Sequence, residues 1–156
     1  MTGASLEVAF NRAVKFLSYR ARSVAEVRAK LAQLGFSRDT TEGAVKKLLA
    51  LKLLNDGTFA RAWASSRVEG RGYGPLRVER ELKQKGIAKS LIAQILDETF
   101  NRQQGKERAK QLLEKRFRGE DLSDAKVLRR AVAFLQRRGY RDSVIAEILK
   151  QPLGDE

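Results

Sequence analysis

Glycine stands at positions 35, 86 and 139, and around each of the three the chain repeats itself. LAQLGF begins at Leu31, LKQKGI at Leu82 and LQRRGY at Leu135, so that a leucine lies four residues before each glycine and Phe36, Ile87 or Tyr140 follows it. Eight residues before each glycine stand Val27, Val78 and Ala131, and ten after it Val45, Leu96 and Leu149. Such spacings put apolar residues on one helical stripe, end the helix at a glycine able to take a left-handed backbone, and begin another amphipathic helix beyond. Three repeats of helix, helix, Gly turn, helix are therefore predicted, over 1–56, 57–105 and 106–156, with NRQQGK at 101–106 as a polar connector. A repeat of this size is too small to bury a large core alone, so the expectation is an all-α chain whose three-helix repeats pack into an elongated, curved array.

Local signals agree with helices. Leu6, Phe10, Ala13 and Leu17 recur at three and four, Ser23-Val-Ala-Glu26 has the pattern of a capping box, and Gly74-Pro75 offers a helix start with proline in the first position. Only Pro75 and Pro152 interrupt the whole length.

The chain has no His and no Cys, which removes the usual imidazole base, the thiolate nucleophile and the soft metal ligands. Its acids are scattered at helix starts or in i,i+4 pairs, so no catalytic constellation, metal site or cofactor is expected. Thirty-two Lys and Arg against 19 Asp and Glu give +13, a balance suited to a polyanionic partner. The first residues lack a secretory pattern, and the greasiest run, AVKKLLALKLL, is broken by lysines and too short to span a bilayer. A cytoplasmic monomer without membrane contact is expected.

Candidate contact residues concentrate between Asp56 and Ile87. Arg61 and Arg67 fall off the stripe of Phe59 and Trp63, whose i,i+4 spacing favours a core role over base stacking. The loop EGRGYGPLR brings enough glycine for backbone amides to approach a phosphate, with Arg71 and Tyr73 as a charge and a stacking ring, although a plain connection between helices explains it equally well. It lacks the G-K-[ST] ending of a P-loop. On the next helix Glu79 can pair with Lys83 and Glu81 with Lys85, leaving Arg77 and Arg80 to present positive charge, unless that face is simply solvated. Arg129, Arg130, Arg137 and Arg138 in the third repeat extend the basic candidates.

The central block DGTFARAW…GPLRVERELKQKGI, with Arg77, Glu81, Leu82, Gly86 and Ile87 in an R-x-x-x-E-L-x-x-x-G-I pattern, and the tandem Gly turns resemble the RecX family, bacterial regulators of the RecA recombinase. The resemblance covers nearly the whole chain. It implies a noncatalytic regulator in DNA repair and recombination, bound to the RecA filament on single-stranded DNA and inhibiting its ATPase, strand-exchange and coprotease activities. The partners implied are the RecA filament and, weakly and without sequence preference, single-stranded DNA. Arg61, Arg67, Arg71, Tyr73, Arg77, Arg80, Lys83, Arg129, Arg130, Arg137 and Arg138 are then the candidate contacts. The alternative is a basic helix-turn-helix DNA-binding protein. Against it, KSLIAQILDET and DSVIAEILKQ, which would be the recognition helices, are slightly acidic, and the arginines lie on the helices before them.

Overall fold

A computed structural model of the chain describes residues 3–150, so Pro152 and the end of the third repeat, 151–156, lie outside the described residues. Among these residues there are nine helices and no strand: α1 Gly3–Tyr19, α2 Val24–Gln33, α3 Arg38–Ala50, α4 Asp56–Arg71, α5 Pro75–Gln84, α6 Lys89–Thr99, α7 Arg102–Arg116, α8 Ala125–Arg138 and α9 Asp142–Leu149. The capping box forms at α2. Ser23 Oγ accepts the Glu26 amide at 3.1 Å, and the Ser23 amide donates to the Glu26 carboxylate at 2.9 Å, an arrangement worth about 1 kcal/mol. Pro75 opens α5, where its missing amide proton removes nothing the helix would use.

The polar connector predicted at 101–106 is instead the start of a helix. Asn101 caps α7 by accepting the amides of Gln103 and Gln104, and Gly105 continues the helix through a bond from its amide to the Asn101 carbonyl. A short polar side chain at the right place outweighed the helix-weakening glycine.

Contacts gather the helices into two compact units, one running to Ala62 and taking up Leu82–Leu91, the other made of Trp63–Glu81 and the chain from Ile92 onward. In the first, Ala9 and Ala13 of α1, Val27 and Leu31 of α2, and Ala44, Val45 and Leu48 of α3 close a core. Alanines on α1 let the helices approach closely, while the branched residues fill the space between. In the second unit Ala109, Leu113, Phe117, Ala131, Phe134, Leu135 and Ile145 bring α7, α8 and α9 together, with Phe117 and Phe134 edge to face at 5.9 Å.

Within each unit the same joint ties one repeat to the next. In the first, the turn at Gly86 rests on the start of α2: Ser23 Oγ donates to the Lys85 carbonyl at 2.7 Å, and a Cβ on Gly86 would lie 2.4 Å from the Ala25 Cβ. Lys85 Nζ also reaches Glu26 at 3.2 Å, and Asp56 accepts the Val24 amide at 2.8 Å. In the second unit the turn at Gly139 rests on the start of α5. The Gly74 amide donates to the Arg138 carbonyl at 2.7 Å and the Leu76 amide to the Gly139 carbonyl at 2.9 Å. Ser23 and Gly74 both stand twelve residues before their own repeat's glycine, and Lys85 and Arg138 both stand one before theirs. The joint thus satisfies helix-start groups that have no partner within their helix.

Gly139, at φ 95°, meets Arg77 so closely that a Cβ would lie 2.5 Å from the Arg77 nitrogen, whereas Gly35, at φ 92°, has nothing within 4 Å of such a Cβ. Both positions penalise alanine through the backbone by about 1–2 kcal/mol, and only Gly139 adds an overpacking cost of about 1–3 kcal/mol. Thermal unfolding of Gly35→Ala and Gly139→Ala should therefore show the second clearly less stable; equal losses would mean that the joint is loose.

Burial alone would raise the Glu26 pKa, but hydrogen bonds from Arg20, the Ser23 amide and Lys85 prevail and lower it from 4.5 to about 2. A carboxylate depressed on folding contributes stability that is fully present above pH 4.5 and lost as the pH falls toward 2. Glu26→Gln should lower stability at neutral pH and flatten this acid limb in melts followed by circular dichroism. A variant with the parent's full acid dependence would place the titration elsewhere.

Candidate functional site

The sequence candidates divide between the units, with Arg61 and Lys83 in the first and the others in the second. In the second unit Glu81 gathers the central residues. Its carboxylate, with the side chain 16% exposed, accepts the Trp63 Nε1 proton at 3.0 Å. Arg67 Nε stands 3.0 Å away without the alignment of a hydrogen bond, and Arg77 Nε is at 3.5 Å. Arg67 also lies over the Trp63 ring at 4.2 Å. Trp63 is thus half-buried, the wall of a polar cluster and not a core residue, while Phe59 on the same stripe is buried as expected.

Two sequence expectations need correction. The pairing of Glu81 with Lys85 gives way to arginines from the same unit, and Lys85 turns to Glu26; guanidinium groups hold a carboxylate more specifically than a single ammonium does. Arg77 is not a freely presented charge either. Besides Glu81 it covers the Tyr73 ring at 4.2 Å and donates to the Arg137 carbonyl at 3.1 Å, leaving its side chain 31% exposed. Tyr73, under that guanidinium, is only 8% exposed and presents no ring for a base to stack on. Arg80, three residues along the same helix, is exposed.

Around the second joint the candidates do converge. Gly70, Arg71, Tyr73, Arg77, Arg137 and Arg138 line a depression of about 580 Å³. Next to it the end of α4, one face of α7 and the end of α8 enclose a larger cleft of about 690 Å³, where Arg71 and Arg138 recur beside Arg108, Lys115 and Arg116. Leu112 and Phe134 supply an apolar floor, and Glu69, 3.5 Å from Arg108, is the one acid in the lining. Arg108 Nη1 is buried without a hydrogen-bond partner. Arg138 donates through Nη1 to the Arg71 carbonyl, and the Tyr140 hydroxyl donates to the Gly72 carbonyl at 2.9 Å. Burial pushes the Tyr140 pKa up to about 12 despite Arg108 and Arg138 nearby, so that hydroxyl keeps its proton.

Arg129 and Arg130 lie outside both clefts, Arg130 being turned to Glu120 at 2.8 Å. Arg108 is not among the residues that the sequence singles out. Its spacing to Leu112 and Lys115, at i+4 and i+7, was the available sign that one face of α7 mixes charge with apolar surface. No group of His, Cys, Asp or Glu among the described residues is arranged to hold a metal, and no described helix is long and apolar enough to cross a membrane.

Family models for the first, second and third three-helix domains of RecX match residues 9–48, 55–96 and 103–149. The chain belongs to the RecX family. It is 35% identical over 148 residues to the regulatory protein RecX of Mycobacterium leprae, covering 92% of this chain and 84% of that one. To the regulatory protein RecX of Bacillus velezensis it is 37% identical over 149 residues, 96% of this chain but 57% of that longer relative. The crystal structure of RecX from Lactobacillus salivarius superimposes with a TM-score of 0.84 at 23% identity, covering 96% of this chain and 97% of that one, which establishes the shared fold. A second RecX crystal structure matches with a TM-score of 0.79 at 26% identity, over 94% of this chain and 71% of that one. The three RecX domains thus take in all three Gly turns.

Because Arg77 links Glu81, Tyr73 and the Gly139 turn, Arg77→Ala should lower stability by about 1–2 kcal/mol, while Arg80→Ala on the same helix should stay within about 0.5 kcal/mol. Chemical denaturation of the two single variants checks this. Equal stability would show that the Arg77 contacts are incidental.

Proposed function

We propose that the chain is a noncatalytic regulator of the RecA–single-stranded DNA filament that inhibits its ATPase, strand-exchange and coprotease activities. One observation carries the reading: beside the joint, Arg71 and Arg138 line both of two adjoining clefts whose other cations are Arg77, Arg137, Arg108, Lys115 and Arg116. Guanidinium groups gathered beside apolar side chains suit the carboxylates of a protein surface and the phosphates of a single strand alike. Membership of a family of regulatory proteins supports regulation over catalysis.

Arg71 and Arg137, both exposed, are proposed as direct contacts, with Arg80, Arg61, Lys83 and Arg129 as outlying contributors. Arg67, Arg77 and Tyr73 act through the framework they hold, and Arg130 through Glu120. The three repeats, 1–56, 57–105 and 106–156, are the proposed divisions of the chain, acting as a cytoplasmic monomer. Direct binding to single-stranded DNA is weak and indifferent to sequence, because it runs through phosphates.

Added substoichiometrically, the chain should slow RecA ATP hydrolysis on single-stranded DNA. Arg71→Ala with Arg137→Ala should relieve that inhibition at unchanged melting temperature, and raising the salt should weaken DNA binding steeply. Unaltered ATP hydrolysis in the presence of the parent chain would overturn the proposal. Tight, salt-resistant recognition of one duplex sequence would point to the helix-turn-helix alternative.

A further inference from the structure

Two of the three Gly turns are seated on the first turn of a helix, and the third is open. Gly86 and Gly139 press against Ala25 and Arg77, whereas Gly35 has nothing within 4 Å of the Cβ position. Beside it Phe36 is half-buried and forms, with Ala32 and Thr41, a groove of about 530 Å³. Arg28, paired with Glu42 at 2.9 Å, and Arg38 stand on its rim. Thr41 is only 5% exposed, yet its buried Oγ1 has no hydrogen-bond partner. A hydroxyl withdrawn from water and left unpaired beside a groove that mixes charged and apolar side chains marks a place where a partner supplies the missing bond.

We propose that the Gly35 turn is a docking site for the first turn of a helix on the protein subunit of the filament, an inference that rests on the function proposed above. The two occupied joints define the chemistry of that turn. It carries a proton donor at the cap, as Ser23 Oγ and the Gly74 amide do for the Lys85 and Arg138 carbonyls, here aimed at the Leu34 carbonyl. The glycine lets a first-turn residue approach it directly, Ala25 at Gly86 and Arg77 at Gly139. Where Glu26 meets Lys85, an apolar residue meets Leu34, which replaces the lysine in this turn.

Among the described residues, the equivalent helix starts of the three repeats leave a second copy of the chain no vacant seat of this kind. The starts of α2 and α5 already hold turns, and α8 begins fourteen residues before its glycine instead of eleven. Its cap, Asp124, is an acceptor already engaged with the amides of Lys126 and Val127, and Val127 occupies the place of Ser23 and Gly74.

The test measures binding of the chain to RecA filaments assembled on single-stranded DNA, for the parent and two variants. Thr41→Val removes a hydroxyl that no group in the described fold uses and should melt at or above the parent's temperature, whereas Leu34 packs partly against the core of the first unit, so Leu34→Lys should melt lower and its binding is compared at a temperature where it remains folded. Each should weaken filament binding by about tenfold. Folded variants that bind like a binding-competent parent overturn this inference alone. A parent that does not bind filaments overturns the filament reading and this inference with it. A concentration-dependent dimer of the parent, abolished by Leu34→Lys, would overturn it by making the occupant a second copy.

Discussion

Everything in the second unit depends on one close approach of backbone to backbone, where the turn at Gly139 meets the start of α5. A Cβ on Gly74 would lie 2.6 Å from the Gly139 oxygen, and one on Gly139 would meet the Arg77 backbone, so neither position accepts a side chain without displacement. What the chain gains is direct pairing of two helix-start amides with two carbonyls of the neighbouring repeat. A three-helix repeat buries too little apolar surface to be rigid alone, and hydrogen bonds fixed in direction set its neighbour's position as apolar packing by itself would not. In the first unit a serine hydroxyl takes the place of the Gly74 amide, and the Glu26–Lys85 pair adds charge to the same geometry.

The joint also explains why arginines that read as contact residues have internal partners. Arg77 and Arg138 sit where two repeats meet, and each places its guanidinium on a carbonyl of the opposite segment. In the proposed role, structure and recognition share these side chains. If they meet a partner as proposed, fixing the guanidinium groups beforehand removes part of the ordering cost that flexible arginines otherwise meet on binding. The charges beside them, Arg71, Arg137, Lys115 and Arg116, remain exposed at the edges of the two clefts.

Much of the fold was legible in the sequence because helix signals are local. The Ser23 capping box, Pro75 at the start of α5 and left-handed backbone at Gly35, Gly86 and Gly139 follow from residue type and spacing alone. Asn101 was the exception, since a glycine and several polar residues around a good cap read equally as linker or helix start. The site was less legible. Spacing within one helix offers Glu81 a lysine at i+4, whereas the fold brings it Trp63 and Arg67 from α4, and no local pattern records that meeting. Arg108 escaped for a similar reason, because its place in the fold is a cleft lined by three separate helices.

Amide hydrogen exchange at Gly74 and Leu76 is the most direct measure of the joint. Amides at the start of a helix ordinarily have no partner within it and exchange quickly. If the Gly139 turn is clamped on α5 as described, these two amides should be protected to the same degree as buried helical amides such as that of Val78. Exchange at the rate of solvent-exposed amides, with Val78 still protected, would show that the turn is not held there and would contradict the joint on which the account rests.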